Sequence, residues 1–281
     1  MGLSTVALVG ALAGGGLASG AFARSRPHTR PHLSTLATSA PPATVSFSFS
    51  VTVRGLVRHG GALTFTGSGQ ASFVDDDVSL AVTLPPSVAA LLPGGSGSSA
   101  VVVNAVLAGG TVYAEVPELS TLLGEPWISV ALPASVTGGI PGVFSAVDSA
   151  LGNPNEIVSF ARSHGASVVS LGSSTVDDTA VTGFGIGARV DGARLSARVW
   201  TNTSTGQLVQ GVLTVGGQGR RGLGLSATVN LSDDGAPVTI TTPAPSQVRA
   251  VPLSLVEQFL GTALQQFHLG RLLDLGATHA A

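Results

Sequence analysis

Cysteine and lysine are both missing from this chain of 281 residues. The lack of cysteine excludes disulfide bonds, a thiolate zinc site and a cysteine nucleophile. All 13 basic residues are arginine, so Schiff-base chemistry on lysine is excluded as well. Charged residues make up only 10 % of the sequence and the net charge is −2, which gives no electrostatic footprint for nucleic acid.

Apolar residues and glycine are abundant instead. Hydrophobic residues account for 44 % of the chain and there are 38 glycines, while aromatic residues reach only 5 %. This composition excludes a largely disordered chain and is sufficient for a sizeable core. The glycines give strands many places to bend or turn.

The first 23 residues have the features of an export signal. Leu3–Ala23 is apolar and ends in Ala21-Phe22-Ala23, which has the small-x-small pattern of a signal-peptidase site. We therefore expect residues 1–23 to be a cleaved signal peptide, with an uncleaved membrane anchor as the alternative. Residues 24–42 contain four prolines and predict a disordered tether. The expected location is the cell envelope, a periplasm-like space or the extracellular medium.

Alternation of apolar and polar residues dominates the body of the chain, which is the period of half-buried strands. The clearest stretch is Leu195–Leu231, where turns at 202–206 and 216–222 separate three strands and predict two joined hairpins. Because such strands are apolar on one side only, that side has to be buried. The pattern predicts further strands at 45–53, 63–69, 78–84, 101–107, 111–116, 127–130, 167–171 and 176–187, and a last one at 237–242.

Helical spacing interrupts the strands in a few places. Short helices are expected at 85–92 and 143–151. Another begins at Asn153-Pro154, with Asn153 as the cap and Glu156 at the third position, and ends at Gly165. The capping box Ser254-Leu-Val-Glu257 opens a C-terminal helix with a wide apolar stripe, which we expect to cover part of the sheet.

Several phrases in this order resemble one family. They include Val112-Tyr-Ala-Glu115, Gly124-Glu-Pro-Trp127, Val199-Trp200 and the run Val229–Pro243. Over roughly residues 45 to 249 the chain resembles the actinobacterial envelope lipoproteins of the LppX/LprG type. The resemblance implies an α+β fold class: a single strongly curved antiparallel β-sheet, a LolA-like half-barrel, with a few helices covering the concave face. It also implies a cavity that holds an acylated lipid or glycolipid.

Two features depart from that family. Its exported members usually carry an acylated cysteine after the signal, and this chain has none, so anchoring by that route is excluded. A proline-rich segment stands where a helix often precedes the first strand. The expected organisation is a signal or anchor at 1–23, a tether at 24–42, a lipid-binding domain at 43–249, and a C-terminal helix and tail at 250–281.

The candidate lipid contacts are the apolar side chains expected to point between the sheet and its helices. Few of them are large, which leaves room for an acyl chain, and each buried methylene contributes about 0.8 kcal/mol. The alternative is that the same side chains fill a solid core. The candidates are Phe47, Phe49, Val51, Phe65, Leu80, Val82, Val103, Phe144, Val147, Ile157, Phe160, Leu213, Leu225, Ala227 and Val229.

No catalytic or metal-binding constellation stands out. Gly217–Gly222 has the string of a dinucleotide-binding loop, but it joins two strands and precedes no helix, so it predicts a hairpin turn. No spacing pairs a histidine with a serine and a carboxylate as a triad. Asp75–Asp77 lacks the ligand spacing of a calcium loop and predicts a solvated turn. We therefore expect no enzyme activity, no cofactor and no metal.

The sequence as a whole favours an exported, monomeric lipid-binding or lipid-carrier protein that shields acyl chains from water. The alternative is an envelope sensor or protein-interaction module on the same fold, without lipid cargo and with an envelope membrane protein as its partner. An exposed, non-basic apolar patch beside a sheet edge would favour the alternative.

Overall fold

Twelve strands form one curved, unclosed sheet in the computed structural model, which describes residues 42–55, 61–90, 98–115, 124–137, 151, 153–163, 165–190, 193–216, 224–232 and 235–256. In chain order the strands are β1 (Thr44–Arg54), β2 (Ala62–Ser72), β3 (Asp77–Leu84), β4 (Val101–Ala108), β5 (Thr111–Glu115), β6 (Trp127–Ala131), β7 (Ser167–Val176), β8 (Thr179–Val190), β9 (Ala193–Asn202), β10 (Leu208–Gly216), β11 (Gly224–Ser232) and β12 (Val248–Ala250).

The order in space is β12-β6-β5-β4-β3-β2-β1-β11-β10-β9-β8-β7. Strands β1 to β6 form one antiparallel meander and β7 to β11 form a second. The two meet where β1 pairs with β11, in a register that places Phe49 opposite Val229. The short β12 then returns to the far side and pairs in parallel with β6. The predicted fold class of a single curved antiparallel sheet with a few helices is confirmed.

The strand alternation gives the sheet two chemically different faces. The apolar face consists of Val45, Phe47, Phe49, Val51 and Val53 on β1 together with their cross-strand partners. The polar face consists of the residues between them on β1, which are serines and a threonine, and the partners of those residues. Each change of register by one residue would exchange the two faces, so the apolar pattern fixes the pairing.

Glycines on β2 give the phenyl rings of β1 a place to lie. Phe49 is opposite Gly67 and Phe47 is opposite Gly69. A β-carbon on Gly67 would come within 2.5 Å of Cζ of Phe49, and one on Gly69 within 2.7 Å of Cζ of Phe47. Both rings therefore lie against the bare backbone of β2, and both are almost fully buried.

Among the described residues, short helices accompany the sheet at α1 (Pro86–Ala89), α2 (Ala134–Thr137) and α3 (Pro154–Ser163). Val88 of α1 is 1 % exposed and belongs to a cluster with Leu63 and Leu84. Ala161 of α3 packs with Ile186 and Val199. The two helices thus cover separate parts of the apolar face, one on each side of the β1–β11 seam.

The start of α3 follows the sequence prediction. Pro154 is its first residue, and the backbone N–H of Glu156 donates to the carbonyl oxygen of Asn153 at 2.9 Å. The side-chain amide of Asn153 also donates to Oε1 of Glu156 at 3.2 Å. A carboxylate in the first turn is favourable because it lies at the positive end of the helix dipole.

The predicted last strand at 237–242 was wrong. Residues 236–244 have no regular structure, and the last strand is β12 at Val248–Ala250. Both edges of β11 are already paired, one with β1 and the other with β10. In addition, the prolines at 237, 243 and 245 lack the backbone N–H that strand pairing needs. The chain therefore pairs again only at the free side of β6.

A second correction concerns the strand predicted at 176–187, which runs through the Asp177-Asp178 turn. Both aspartates have positive φ, 43° and 62°, and they separate β7 from β8. The predictions for 1–23, for nearly all of 24–42, for the helix before Leu151 and for most of the C-terminal helix lie outside the described residues.

Candidate functional site

The apolar face has a tightly packed centre. Phe47, Phe49 and Val51 of β1 are between 6 and 8 % exposed, and Ala227 of β11 is fully buried. Leu151 belongs to the same cluster, so the chain that precedes α3 reaches the middle of the face. At the centre the candidate lipid contacts therefore belong to the core.

On either side of this centre the apolar face is only partly buried. The candidates Phe65, Leu80, Val82, Leu213, Leu225 and Val229 pack against the central cluster with part of their surface left accessible. Val103 lies in the same way against the α1 cluster, and Ile157 against the α3 cluster. Phe160 of α3 is 44 % exposed, and the candidates Phe144 and Val147 lie outside the described residues.

Charge is confined to the opposite face of the sheet. Strands β1 to β11 carry six charged residues, and the strand register puts all six side chains on the polar face. On the apolar face, the described residues of these strands include no charged side chain. The six are Arg54, Asp77, Glu115, Arg189, Arg194 and Arg198.

A groove of about 870 Å³ crosses the polar face. It is lined by residues of β4, β3, β2, β1 and β11, and continues to the β9–β10 and β7–β8 turns at Asn202 and Asp177. Among the twenty described lining residues, eleven carry a hydroxyl or amide side chain, one carries a carboxylate and none is basic. Sequence reasoning missed this groove, because it considered only the apolar residues of each strand.

One line of directly paired residues, the central row, crosses the sheet, and its middle part from Asn230 to Asn104 lines the groove. The central row has a tryptophan at each end, and these are the two tryptophans of the chain. In sheet order the central row consists of Trp200, Gln210, Asn230, Ser48, Ser68, Ala81, Asn104, Glu115 and Trp127.

Hydrogen bonds hold the amides of the central row in place. Nε2 of Gln210 donates to Oδ1 of Asn230 at 2.8 Å, and Nδ2 of Asn230 points to Oγ of Ser48 at 3.5 Å. Nδ2 of Asn104 donates to Oε2 of Glu115 at 2.7 Å. The amides of Asn230 and Asn104 are therefore oriented by hydrogen bonds with residues of the neighbouring strands.

Trp200 fills the space above a glycine on the next strand. Its cross-strand partner is Gly183, and a β-carbon there would collide with the six-membered ring of the indole. The ring thus lies against β8, which is the usual way an aromatic residue compensates for a glycine in a sheet.

The acidic turn between β2 and β3 is a structural turn. Asp76 has a φ of 56°, and Oγ of Ser72 donates to Oδ2 of Asp75 at 2.8 Å. Burial raises the pKa of Asp77, the nearby carboxylates of Asp75 and Asp76 add to this, and the backbone N–H of Gly109 opposes it. In the described part of the chain, no three histidine or acidic side chains are grouped as metal ligands would be.

The outer strand β7 exposes an apolar patch. Val169 is 52 % and Leu171 is 40 % exposed, and both side chains reach Gly185 on β8, at 3.1 and 3.3 Å from where its β-carbon would lie. The ten residues of β7 include no charged residue and no proline. Such residues normally protect the edge of a sheet from pairing with another chain.

Comparison with known proteins gives likenesses of fold only. No family model and no curated protein matches the sequence. Among solved structures, the chain is similar to the lipoprotein LppX of Mycobacterium tuberculosis, with 12 % identity and a TM-score of 0.39 over 71 % of this chain and 90 % of that one. It is also similar to a domain described as an outer membrane lipoprotein-sorting protein from Vibrio parahaemolyticus, with 7 % identity and a TM-score of 0.20 over 67 % and 83 %.

At these TM-scores neither likeness supports a statement about function, which has to come from the residues of this chain. In the described ranges, no helix is both long enough and apolar enough to cross a bilayer.

Proposed function

We propose that this protein is an exported lipid-binding protein that takes up the acyl chains of a lipid or glycolipid on the apolar face of its sheet. The observation that carries this proposal is the band of partly buried, uncharged side chains beside the packed centre, represented by Leu80, Val82 and Leu213. A hydrocarbon tail laid on this band would lose water on one side and would meet no charge. Binding needs no cofactor, because apolar burial provides the free energy.

The magnitude of this effect is sufficient for a useful affinity. A methylene fully removed from water contributes about 0.8 kcal/mol and one covered on one side about half of that, so twenty methylenes of the acyl chains of one lipid would give about 8 kcal/mol before the cost of ordering the chains. A value of that size corresponds to a dissociation constant of about 1 μM. The candidates beside the packed centre are proposed as contacts, while Phe47, Phe49, Val51 and Ala227 form the floor under them.

Two neighbouring residues on β3 provide a matched test. Val82 is on the apolar face and Thr83 is on the polar face outside the groove. Val82→Trp should fill the band and reduce uptake of a sixteen-carbon fatty acid, measured by native mass spectrometry of the folded protein. If the indole displaces four half-covered methylenes of the ligand, affinity falls about tenfold.

The control variant Thr83→Trp carries the same indole on the other side of the sheet and should bind as the wild type does. Equal losses in the two variants would contradict the proposal, as would a folded wild-type protein that takes up no fatty acid at any concentration tested.

A protein-interaction module without lipid cargo is the second candidate. The exposed, non-basic patch of Val169 and Leu171 on the outer strand β7 favours it, since an uncharged edge can accept another strand. This candidate predicts a protein that stays lipid-free in native mass spectrometry. It also predicts that Val169→Arg abolishes a complex seen in analytical ultracentrifugation.

A further inference from the structure

The groove on the polar face has a chemistry that lipid binding on the opposite face does not use. Its described lining is dominated by serine, asparagine and glutamine, and includes no basic residue. We propose that this groove is a binding site for a neutral oligosaccharide. The site is separate from the apolar face and does not depend on whether that face holds a lipid.

Because the described lining contains no basic residue, we expect its ligand to carry no negative charge. Phosphate, sulfate and carboxylate groups are bound in proteins mainly by arginine and lysine, through charge-assisted hydrogen bonds. Here the one ionisable side chain in the described lining is Asp177, which repels an anion. A polyanion such as nucleic acid or a sulfated glycan therefore does not fit, and a neutral polyhydroxylated ligand does.

Hydroxyl and amide side chains match the hydroxyl groups of a sugar, because both donate and accept hydrogen bonds. In the central row, Asn104 gives one N–H to Glu115, and its Oδ1 has no partner among the described residues. Ser48 is paired with the amide of Asn230, which leaves its own O–H able to donate. The amide of Asn104 is thus oriented in advance, so a ligand that pairs with its Oδ1 does not have to order this side chain itself.

The extent of the groove favours a chain over a single sugar. The part of the central row that lines the groove runs from Asn104 to Asn230, which is four interstrand steps of about 4.8 Å or about 19 Å in all, and the lining continues beyond it to Asn202 and Asp177. Ala81 has only a methyl group and leaves space near the middle of the row. Trp200 and Trp127 lie on the same face, each two strands beyond an end of this part of the row.

The two indoles also supply the readout. Because the chain contains no other tryptophan, its emission reports on the two ends of the central row. We would titrate the full chain, lipid-free and lipid-loaded, with neutral hexasaccharides of glucose, mannose and arabinose and with heparin as the polyanion. We expect a saturable change in emission with at least one hexasaccharide and none with heparin, equal in both lipid states.

Substitutions then locate the site. Asn104→Ala and Asn230→Ala should each weaken binding by about fivefold or more, the effect of one or two lost hydrogen bonds. Thr64→Ala is the matched control, since Thr64 is an exposed residue of the polar face outside the groove, and its affinity should be unchanged. Far-UV circular dichroism checks each fold, and Ser68→Ala replaces any asparagine variant that fails to fold.

Three results would overturn the proposal: no saturable response of the folded wild type to any hexasaccharide, stronger binding of heparin, or equal losses in Thr64→Ala and the groove variants. The lipid-binding proposal is tested independently, because Asn104→Ala should leave fatty-acid uptake unchanged. A protein that binds sugar but no fatty acid would refute that proposal and leave this one standing.

Discussion

Replacing Gly67 by alanine tests how closely β1 and β2 pack. A β-carbon at this position would lie 2.5 Å from Cζ and 2.8 Å from Cε1 of Phe49, and closer still to the carbonyl oxygen of Ala81. The ring of Phe49 is only 6 % exposed and has little space to move into. Overpacking of this kind costs about 2 kcal/mol, which lowers Tm by about 4–8 °C in a domain of this size.

Gly211 on β10 provides the matched control. It is opposite Val229 on the same apolar face, and no atom lies within 4 Å of where its β-carbon would be. Gly211→Ala should therefore stabilise the protein by about 0.5 kcal/mol, because alanine restricts the unfolded chain more than glycine does. The two variants thus have opposite expected signs.

The measurement is urea unfolding followed by tryptophan emission and far-UV circular dichroism. A Gly67→Ala variant as stable as the wild type would show that the ring of Phe49 is not held over β2. A Gly211→Ala variant as unstable as Gly67→Ala would show that any side chain at a glycine of this face is harmful, whatever its neighbours.

Two further changes test buried polar groups. Thr201 is fully buried, and its hydroxyl donates to the carbonyl oxygen of Thr182 at 3.2 Å. Thr201→Val should therefore reduce the free energy of unfolding, measured by urea titration, by about 1 kcal/mol. An unchanged free energy would show that this hydrogen bond contributes nothing to stability. Burial raises the pKa of Asp77 above its ordinary value of 3.8, so its contribution to stability is present below that pH and is lost as the pH rises through the folded pKa. Asp77→Asn should therefore have the higher urea midpoint at pH 7, with the difference shrinking toward pH 3.8; a lower midpoint at pH 7 would mean that the bond from Gly109 outweighs burial.

Local sequence pattern was enough to predict most strands and the face on which each residue lies. The alternation in 45–53 placed Phe47, Phe49 and Val51 on one side, and the structure places them there. The helix start at Asn153-Pro154 was also correct, because a cap and a proline at the first position act within a few residues.

The pairing of distant strands could not be predicted in the same way. Nothing in the alternation of 225–231 shows that β11 pairs with β1, since any strand with one apolar face satisfies that pattern. The alignment of Asn230, Ser48, Ser68 and Asn104 in one row combines this one distant pairing with the registers of three pairs of consecutive strands. The candidate groove therefore required the structure, whereas the side of the sheet on which Phe47, Phe49 and Val51 lie did not.

The return of β12 to β6 has a consequence for the order in which the chain can fold during its synthesis. Ser48 of β1 pairs with Asn230, which is made 182 residues later, and Trp127 of β6 pairs with Val248 of β12, which is made about 120 residues later. Until these later strands are made, the outer strands β1 and β6 of the first meander have unpaired edges, which can pair with the wrong strand. Once synthesis is complete, β11 pairs with β1 and β12 pairs with β6, so the second half of the chain covers both edges of the first meander. Cleavage of the connection between β6 and β7 should accordingly yield two fragments that reassemble when mixed. The C-terminal fragment would then pair with both edges of the N-terminal one.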